Sequence, residues 1–392
     1  FRRVLFRSAG NAESARPVFA AAGVPLFDNL DDAVRGFGYR IAAQDAQTAL
    51  LRAPVTSAMP KFDAAKAREV IASARKAGRT VLSAIEAKAV LAAFGVPVAP
   101  AVFVADVADV ADACAVLKPP FVVKLVCDTI PHKSDIGGVV LDLADAEAAS
   151  EAALAIRERV VEAAPGAIIA GFEIGEMVAM PQARELLVGV ADDPQFGPVI
   201  AVGAGGVDVE LIGDRALALP PLDVTLARDM LDRTRISRLL TAHRGRSAAD
   251  VDAVVGVLEA VSALCTELPD VAELDINPLL VGPQGAVALD ARMRITAQPS
   301  ESRMVLRPVP MEWATDVVTR SGVALHIRPV LPSDEWMLAE LFHHVSAEDK
   351  QFRFLSAVQE IGHPQLAAMT QVDYRSTINF LAFVEEIGRA HV

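Results

Sequence analysis

Three of the eight lysines in the chain, Lys118, Lys124 and Lys133, crowd into one short stretch. Lys124 sits inside the apolar run Phe121-Val122-Val123-Lys124-Leu125-Val126. A buried ammonium is costly without an anion beside it. A ligand phosphate would serve; so would an internal carboxylate, or escape of the tip to the strand end. Just downstream, Pro131-His132-Lys133-Ser134-Asp135 precedes Gly137-Gly138-Val139-Val140. An imidazole, an ammonium, a hydroxyl and a carboxylate thus stand beside a glycine pair whose backbone can approach a phosphate closely. A histidine steadied by an acid can accept a phosphoryl group, because its neutral nitrogen is nucleophilic near pH 7. A lone histidine in such a place is also a common hydrogen-bonded turn residue. The chemistry is carried by the set, not by His132 alone.

Two further groups point the same way. Gly203-Ala204-Gly205-Gly206 follows the turn Asp193–Pro198 and suits either a phosphate-facing backbone or a tight hairpin. In Glu273-Leu274-Asp275-Ile276-Asn277-Pro278-Leu279 the polar residues alternate, which places Glu273, Asp275 and Asn277 on one strand face. With Asp290, in Ala288-Leu289-Asp290-Ala291, they offer oxygen ligands from paired strands. That donor type suits Mg²⁺, which keeps several waters and takes its remaining ligands from phosphate. A solvated sheet face is the competing explanation, but Asn277 and Asp290 have apolar neighbours.

The elements that must position these residues can be read from local signals. Ser14 is placed as the cap of a short helix ending near Ala22, with Pro17 in its first turn. Gly23–Phe27 is then a strand and Leu30–Tyr39 an amphipathic helix. Ser83-Ala84-Ile85-Glu86 is a capping box, opening a helix that Gly95 and Pro97 stop near Phe94. Val98–Val104 reads as a strand, Asp106 as the cap of a helix reaching Leu117, Pro120–Val126 as a buried strand, and Ala144–Ala163 as a long helix. Short strands at Ala167–Ile174, Leu186–Val190, Val199–Val202 and Val207–Leu211 suggest one antiparallel sheet. Helices at Leu222–Thr234 and Ala248–Leu268 follow. A hairpin, Val271–Ile276 and Ala286–Ile295 about Gly282–Gly285, closes the region. Two mixed lobes with a cleft between them make an α/β (α+β) fold. Beyond a connector, Ala324–Val330 reads as an alternating strand, and helix, turn and strand signals continue to about residue 385.

Bulk properties set the limits. With 37 basic and 50 acidic residues the net charge is −13, which disfavours nucleic acid as a partner. No apolar run reaches the ~18 residues expected of a membrane span. Cys114, Cys127 and Cys265 have neither metal-ligand spacing nor the even number of a disulfide framework, so a cytoplasmic setting is expected. The strings at residues 1–8 and 386–392 resemble translated sequencing-adapter ends, and the expectation is an internal piece of a longer protein.

Taken in order, Val123-Lys124, His132–Val139, Glu185–Gly189, Asp193–Pro198, Gly205-Gly206 and Glu273–Leu279 resemble the ATP-grasp portion of ADP-forming acyl-CoA synthetases of the acetate–CoA ligase type. The resemblance covers most of residues 80–296 and implies a two-lobed ATP-grasp fold. Residues 9–48 resemble the end of the family's flavodoxin-like, succinyl-CoA-ligase-like domain, with 49–79 as linker. After a second linker, 297–321, residues 322–385 resemble the start of a GNAT-type acetyltransferase, through Leu325–Pro329 and Phe352-Arg353-Phe354.

For the site, the resemblance implies that ATP or ADP is held by Lys124, Lys133, Glu176, Gly205 and Gly206. It implies Mg²⁺ on Asn277 and Asp290, and His132 as the phosphohistidine that carries phosphate between acid, CoA and nucleotide. CoA or acetyl-CoA is implied for the full-length protein. The partners implied are small molecules and, through the GNAT part, protein lysines; an oligomer is compatible with the sequence. A regulatory alternative makes the synthetase-like part a ligand sensor controlling lysine acetylation. A carboxylate–amine ligase is disfavoured, since an acyl-phosphate mechanism has no use for the His132–Asp135 cluster.

Overall fold

The computed structural model describes residues 5–6, 12–27, 29–50, 62–127, 136–206, 213–242, 245–299, 301, 304–306, 308–354, 361–374, 376–384 and 390–391. The chain divides into a unit of residues 54–308 and a second unit made of 1–53 and 309–392.

The first unit has two lobes, each built on its own antiparallel sheet. The small lobe holds four strands in the order Ala101–Val104, Ile169–Glu176, Phe121–Cys127, Val139–Leu143. Period two decides what each strand presents. Phe121, Val123, Leu125 and Cys127 join Phe172 and Ile174 in a core covered by the helices Val110–Ala115 and Ala146–Ala163. The residues between them, including Val122, Lys124, Glu173 and Gly175, are left for the opposite face, which lines a cleft. Asp145 caps the long helix through Ala148 N (2.9 Å).

The large lobe orders its strands Arg215–Ala218, Gly197–Ala204, Arg184–Asp193, Val271–Gly282, Ala291–Ile295, Val81–Leu82, with Gly285–Ala288 also pairing on Val271–Gly282. Helices Ala64–Lys76, Ala84–Ala93, Val224–Asp232 and Val251–Glu267 are packed into its core. The capping box at Ser83 is formed as expected: Ser83 Oγ accepts from Glu86 N and Glu86 returns the bond to Ser83 N (2.8 Å). The lobes meet where Ala99 N–H donates to Ala288 O (2.9 Å) and Ala288 N–H to Pro97 O (2.8 Å).

Several expectations need correction. Ala167–Ile174 does not share a sheet with the later strands; as Ile169–Glu176 it is an inner strand of the small lobe, because Phe172 and Ile174 pack against that lobe's helices. Val207–Leu211 lies outside the described residues, and the strand that flanks Gly197–Ala204 is Arg215–Ala218. Asp106 caps a single 3₁₀ turn, Val107–Asp109, before the helix Val110–Ala115. The expected hairpin does turn at Gly282–Gly285, but its first strand is longer, Val271–Gly282, and its return strand is split into Gly285–Ala288 and Ala291–Ile295. The stretch read as the linker 49–79 contains the helix Ala64–Lys76, whose Ala67, Ile71 and Ala74 are buried.

In the second unit, Leu5–Phe6, within the string that resembles an adapter end, pairs in parallel with Leu26–Phe27. The helix before that strand starts at Ala12, so Ser14 is not its cap and Pro17 lies beyond the first turn. The helix Leu30–Leu50 runs past the expected Tyr39. The C-terminal part is an antiparallel sheet, Thr315–Val318, Ala324–Pro329, Phe380–Val384, Ala390–His391. Helices Glu335–His344, Ala347–Phe354 and His363–Thr370 lie between its strands in sequence. Ala324–Pro329 shows no alternation of burial: five residues are half-buried and only Pro329 is buried. Arg328 instead turns into a bidentate pair with Asp334 (2.7 and 2.9 Å).

Candidate functional site

The cleft between the two lobes of the 54–308 unit holds a cavity of about 140 Å³ and is lined by Lys88, Lys124, Glu173, Glu176, Met177 and Leu289 among others. Its small-lobe wall comes directly from strand register. Lys124 lies opposite Glu173, and Val122 opposite Gly175, in the ladder between Phe121–Cys127 and Ile169–Glu176. Lys124 Nζ stands 4.0 Å from Glu173 Oε1 and donates to Leu289 O (3.2 Å) on the large lobe. The internal carboxylate that the sequence allowed as its partner is therefore present, at the limit of an ion pair. Glu176 ends the same strand and its carboxylate accepts from Lys118 N (3.0 Å), so it stands at the cleft edge.

Leu289 leads into the oxygen-bearing part of the large lobe. Ile276 pairs with Ala291, so Asn277 and Asp290 are the next residues along the two strands. On its other side, Val271–Gly282 breaks register with Arg184–Asp193 between Ile276 and Leu279, which takes Asn277 out of the regular ladder. Asn277 Oδ1 accepts from Gly206 N (3.2 Å), and Asp290 Oδ1 from Ala291 N (2.9 Å). Asp275 joins them electrostatically: burial pushes its carboxyl up, Arg292 opposes that, and the Asp290 charge adds to the rise. Glu273, on the same strand face, is drawn away to Arg294, which holds its carboxyl below the usual range.

The glycines expected at the phosphates both resist a side chain, Gly205 for want of space and Gly206 through its backbone angle. A Cβ on Gly205 would lie 2.5 Å from the Leu186 carbonyl carbon, and Gly206 has φ +91°. Asn277, Asp290 and Asp275 supply oxygen atoms only, a donor set suited to Mg²⁺ rather than to zinc or a soft metal. Among the described residues no three His, Cys, Asp or Glu side chains form a ready-made metal cage. The structure thus brings Lys124, Glu176, Gly205, Gly206, Asn277 and Asp290 into one unit, with Lys124 joined to the Leu289–Asp290 segment and Gly206 to Asn277. His132 and Lys133 lie outside the described residues.

Two cleft residues escaped the sequence reading. Lys88, from the helix Ala84–Ala93, binds Glu173 Oε1 at 2.7 Å, and both side chains are almost wholly buried. The signal was available: each is a single charge in an apolar run, Ala87–Phe94 for Lys88 and Ile168–Ile174 for Glu173. That is the feature which drew notice to Lys124.

Two antiparallel lobes gripping a cleft of lysine, glycine and acidic groups define a nucleotide-binding class, and comparison with known proteins agrees. A model described as "ATP-grasp domain" matches residues 73–295. The β subunit of acetate–CoA ligase [ADP-forming] I from Pyrococcus furiosus is 34% identical over 229 residues, 58% of this chain and 97% of that protein. Acetate–CoA ligase [ADP-forming] I from Archaeoglobus fulgidus is 32% identical over 293 residues, 74% of this chain but 41% of that protein. Among solved structures, acetyl-coenzyme A synthetase 1 of Ca. Korarchaeum cryptofilum, in complex with coenzyme A, Ca-AMPCP and HgCl+, superposes with a TM-score of 0.56 at 32% identity. That match covers 59% of this chain and 100% of the other. A further structure of the Korarchaeum protein carries a phosphorylated phosphohistidine segment. The chain belongs to the ATP-grasp family, in the branch formed by the β subunits and corresponding regions of ADP-forming acyl-CoA synthetases.

Proposed function

We propose that the 54–308 unit binds Mg-ATP in its cleft and passes a phosphoryl group through His132, as part of an ADP-forming acyl-CoA synthetase. In the overall reaction a carboxylic acid, CoA and ATP exchange with acyl-CoA, ADP and phosphate. The observation that carries this reading is Lys124, whose ammonium reaches from the small lobe to Leu289 O beside Asp290. It lies where the polyphosphate of a nucleotide would face the Asn277 and Asp290 oxygens. Asn277 and Asp290 would hold Mg²⁺ there, and the ion would supply charge to offset the phosphates.

Within that scheme the chain's own groups have separate tasks. Lys124 and Lys133 offset phosphate charge, as point-charge donors do. Gly205 and Gly206 allow backbone to approach the phosphates. Glu176 faces the nucleoside end of the cleft. His132 accepts the phosphoryl group on a ring nitrogen and returns it, so one difficult transfer becomes two easier ones. The phosphohistidine segment of the Korarchaeum relative supports the relay.

The 322–385 segment is proposed as the start of a GNAT-type acetyltransferase that would take acetyl-CoA, with protein lysines as acceptors. Its support is the Leu325–Pro329 motif and the succession of strand Ala324–Pro329, three helices and strand Phe380–Val384.

The test combines titration calorimetry with γ-labelled ATP. The folded chain is expected to bind Mg-ATP, Lys124→Met to lose that binding, and acid-labile label to disappear in His132→Ala. A folded wild-type chain that binds no Mg-ATP overturns the nucleotide reading, and label that persists in His132→Ala overturns the relay.

A further inference from the structure

Glu173 stands between two ammonium groups, and its contacts with them are unequal. Lys88 Nζ binds Oε1 at 2.7 Å, whereas Lys124 Nζ is 4.0 Å from the same oxygen and is satisfied elsewhere by Leu289 O. The asymmetry is not set by strand register. Glu173 and Lys124 are directly opposite each other in an antiparallel ladder, the arrangement in which opposite charges normally meet. Lys88 reaches Glu173 from the other lobe, from a helix whose Ala87, Val90 and Leu91 are locked in the large core. Both members of the tight pair are almost wholly buried, with Lys88 5% and Glu173 3% exposed, while the Lys124 side chain keeps 22% of its surface.

The charge count gives this geometry a purpose. One carboxylate between two ammonium groups leaves one positive charge, and the contact distances assign it to Lys124. We propose that Lys88 is a positioning residue for polyphosphate binding. By neutralising Glu173 it prevents that carboxylate from capturing Lys124, and so leaves the Lys124 ammonium available to an incoming nucleotide. Without Lys88, the cleft would hold one ammonium facing one buried carboxylate. The Lys124 tip would move the short distance to Glu173 and its charge would be cancelled. The proposal rests on the nucleotide reading of the cleft and adds a competition between its own side chains.

The competition predicts a reversal that a purely structural role would not produce. Mg-ATP affinity of the full chain is measured by calorimetry for wild type, Lys88→Met, Glu173→Gln and the double variant, each checked for folding by circular dichroism. Lys88→Met should weaken binding about tenfold or more, because the nearest free positive charge is lost. Glu173→Gln should tighten it by about threefold or more, because the competing anion is gone. The double variant should recover at least about fivefold over Lys88→Met, since there is no carboxylate left to trap Lys124. Glu173→Gln that binds no better than wild type, or a double variant as weak as Lys88→Met, overturns the proposal. If Lys88→Met does not fold, the Glu173→Gln result alone decides. A wild type that binds no Mg-ATP removes the nucleotide reading and this proposal with it; a wild type that binds while the reversal fails removes only the proposal.

Discussion

Gly205→Ala is the substitution whose cost the structure defines most closely. The added Cβ would stand 2.5 Å from the Leu186 carbonyl carbon, 2.6 Å from its oxygen and 2.9 Å from the Glu185 carbonyl carbon. All three are backbone atoms of Arg184–Asp193, an inner strand held on one side by Gly197–Ala204 and on the other by Val271–Gly282. No side chain can rotate away to make room. Relief requires the two strands to part, which weakens the Gly205 N–H bond to Glu185 O (2.8 Å). Overpacking of this kind, with a damaged hydrogen bond, costs roughly 2–4 kcal/mol. For a unit of this size that is a fall in Tm of roughly 4–16 °C. Gly206→Ala differs in kind: its Cβ would meet only the tip of the exposed Glu185 side chain, which can move, so the main cost is φ +91°, roughly 1–2 kcal/mol. Gly166→Ala meets nothing within 4 Å and should stay within about 0.5 kcal/mol of wild type. Scanning calorimetry and urea unfolding of the three variants give the ranking Gly205, Gly206, Gly166. A Gly205→Ala protein as stable as Gly206→Ala would refute the close approach of the two strands.

Two further outcomes are expected. Arg79, with Ser83, holds the Glu86 carboxyl down at about 2 from its ordinary 4.5. A depressed folded value means stability that is complete above about pH 4.5 and lost as the pH falls towards 2. Wild-type urea midpoints should therefore decline through that window more steeply than those of Glu86→Gln, and parallel curves would contradict the pairing. Asp334→Ala strands Arg328 beside a buried site and removes the acceptor of Leu331 N, costing about 3–5 kcal/mol. The chain's two tryptophans, Trp313 and Trp336, both lie in the C-terminal part of the second unit, so their fluorescence during urea unfolding reads that loss. An unchanged tryptophan transition would refute it.

What could be read from the sequence depended on whether the deciding force was local. The capping box at Ser83 and the alternation from Leu274 to Asn277 are written in neighbouring residues, and each forms as read. The assignment of Ile169–Glu176 to the small sheet was not legible. It follows from pairing with Ala101–Val104 and Phe121–Cys127, strands well upstream in the chain, which no local pattern records. The helix Ala64–Lys76 is not legible because its three buried residues are two alanines and one isoleucine, a faint apolar stripe. At the site, Lys124 stood out as a lone charge in an apolar strand. Lys88 and Glu173 carried the same mark, but each is intelligible only through the other, across 85 residues of chain.

Val81–Leu82 closes the edge of the large sheet against Met293 and Arg294, and Arg68 reaches Glu267 from the preceding helix. The two ends of the family region therefore come together on one border, after a circuit of more than two hundred residues. A fold that starts and finishes at the same edge has a single doorway to the rest of its polypeptide. It can be spliced into a longer chain or made as a free-standing polypeptide without threading anything through its core. Both arrangements occur among the relatives, as a separate subunit in Pyrococcus and within one long chain in Archaeoglobus. The neighbouring edge strands give a physical reason why evolution could move between them by gaining or losing a single joint.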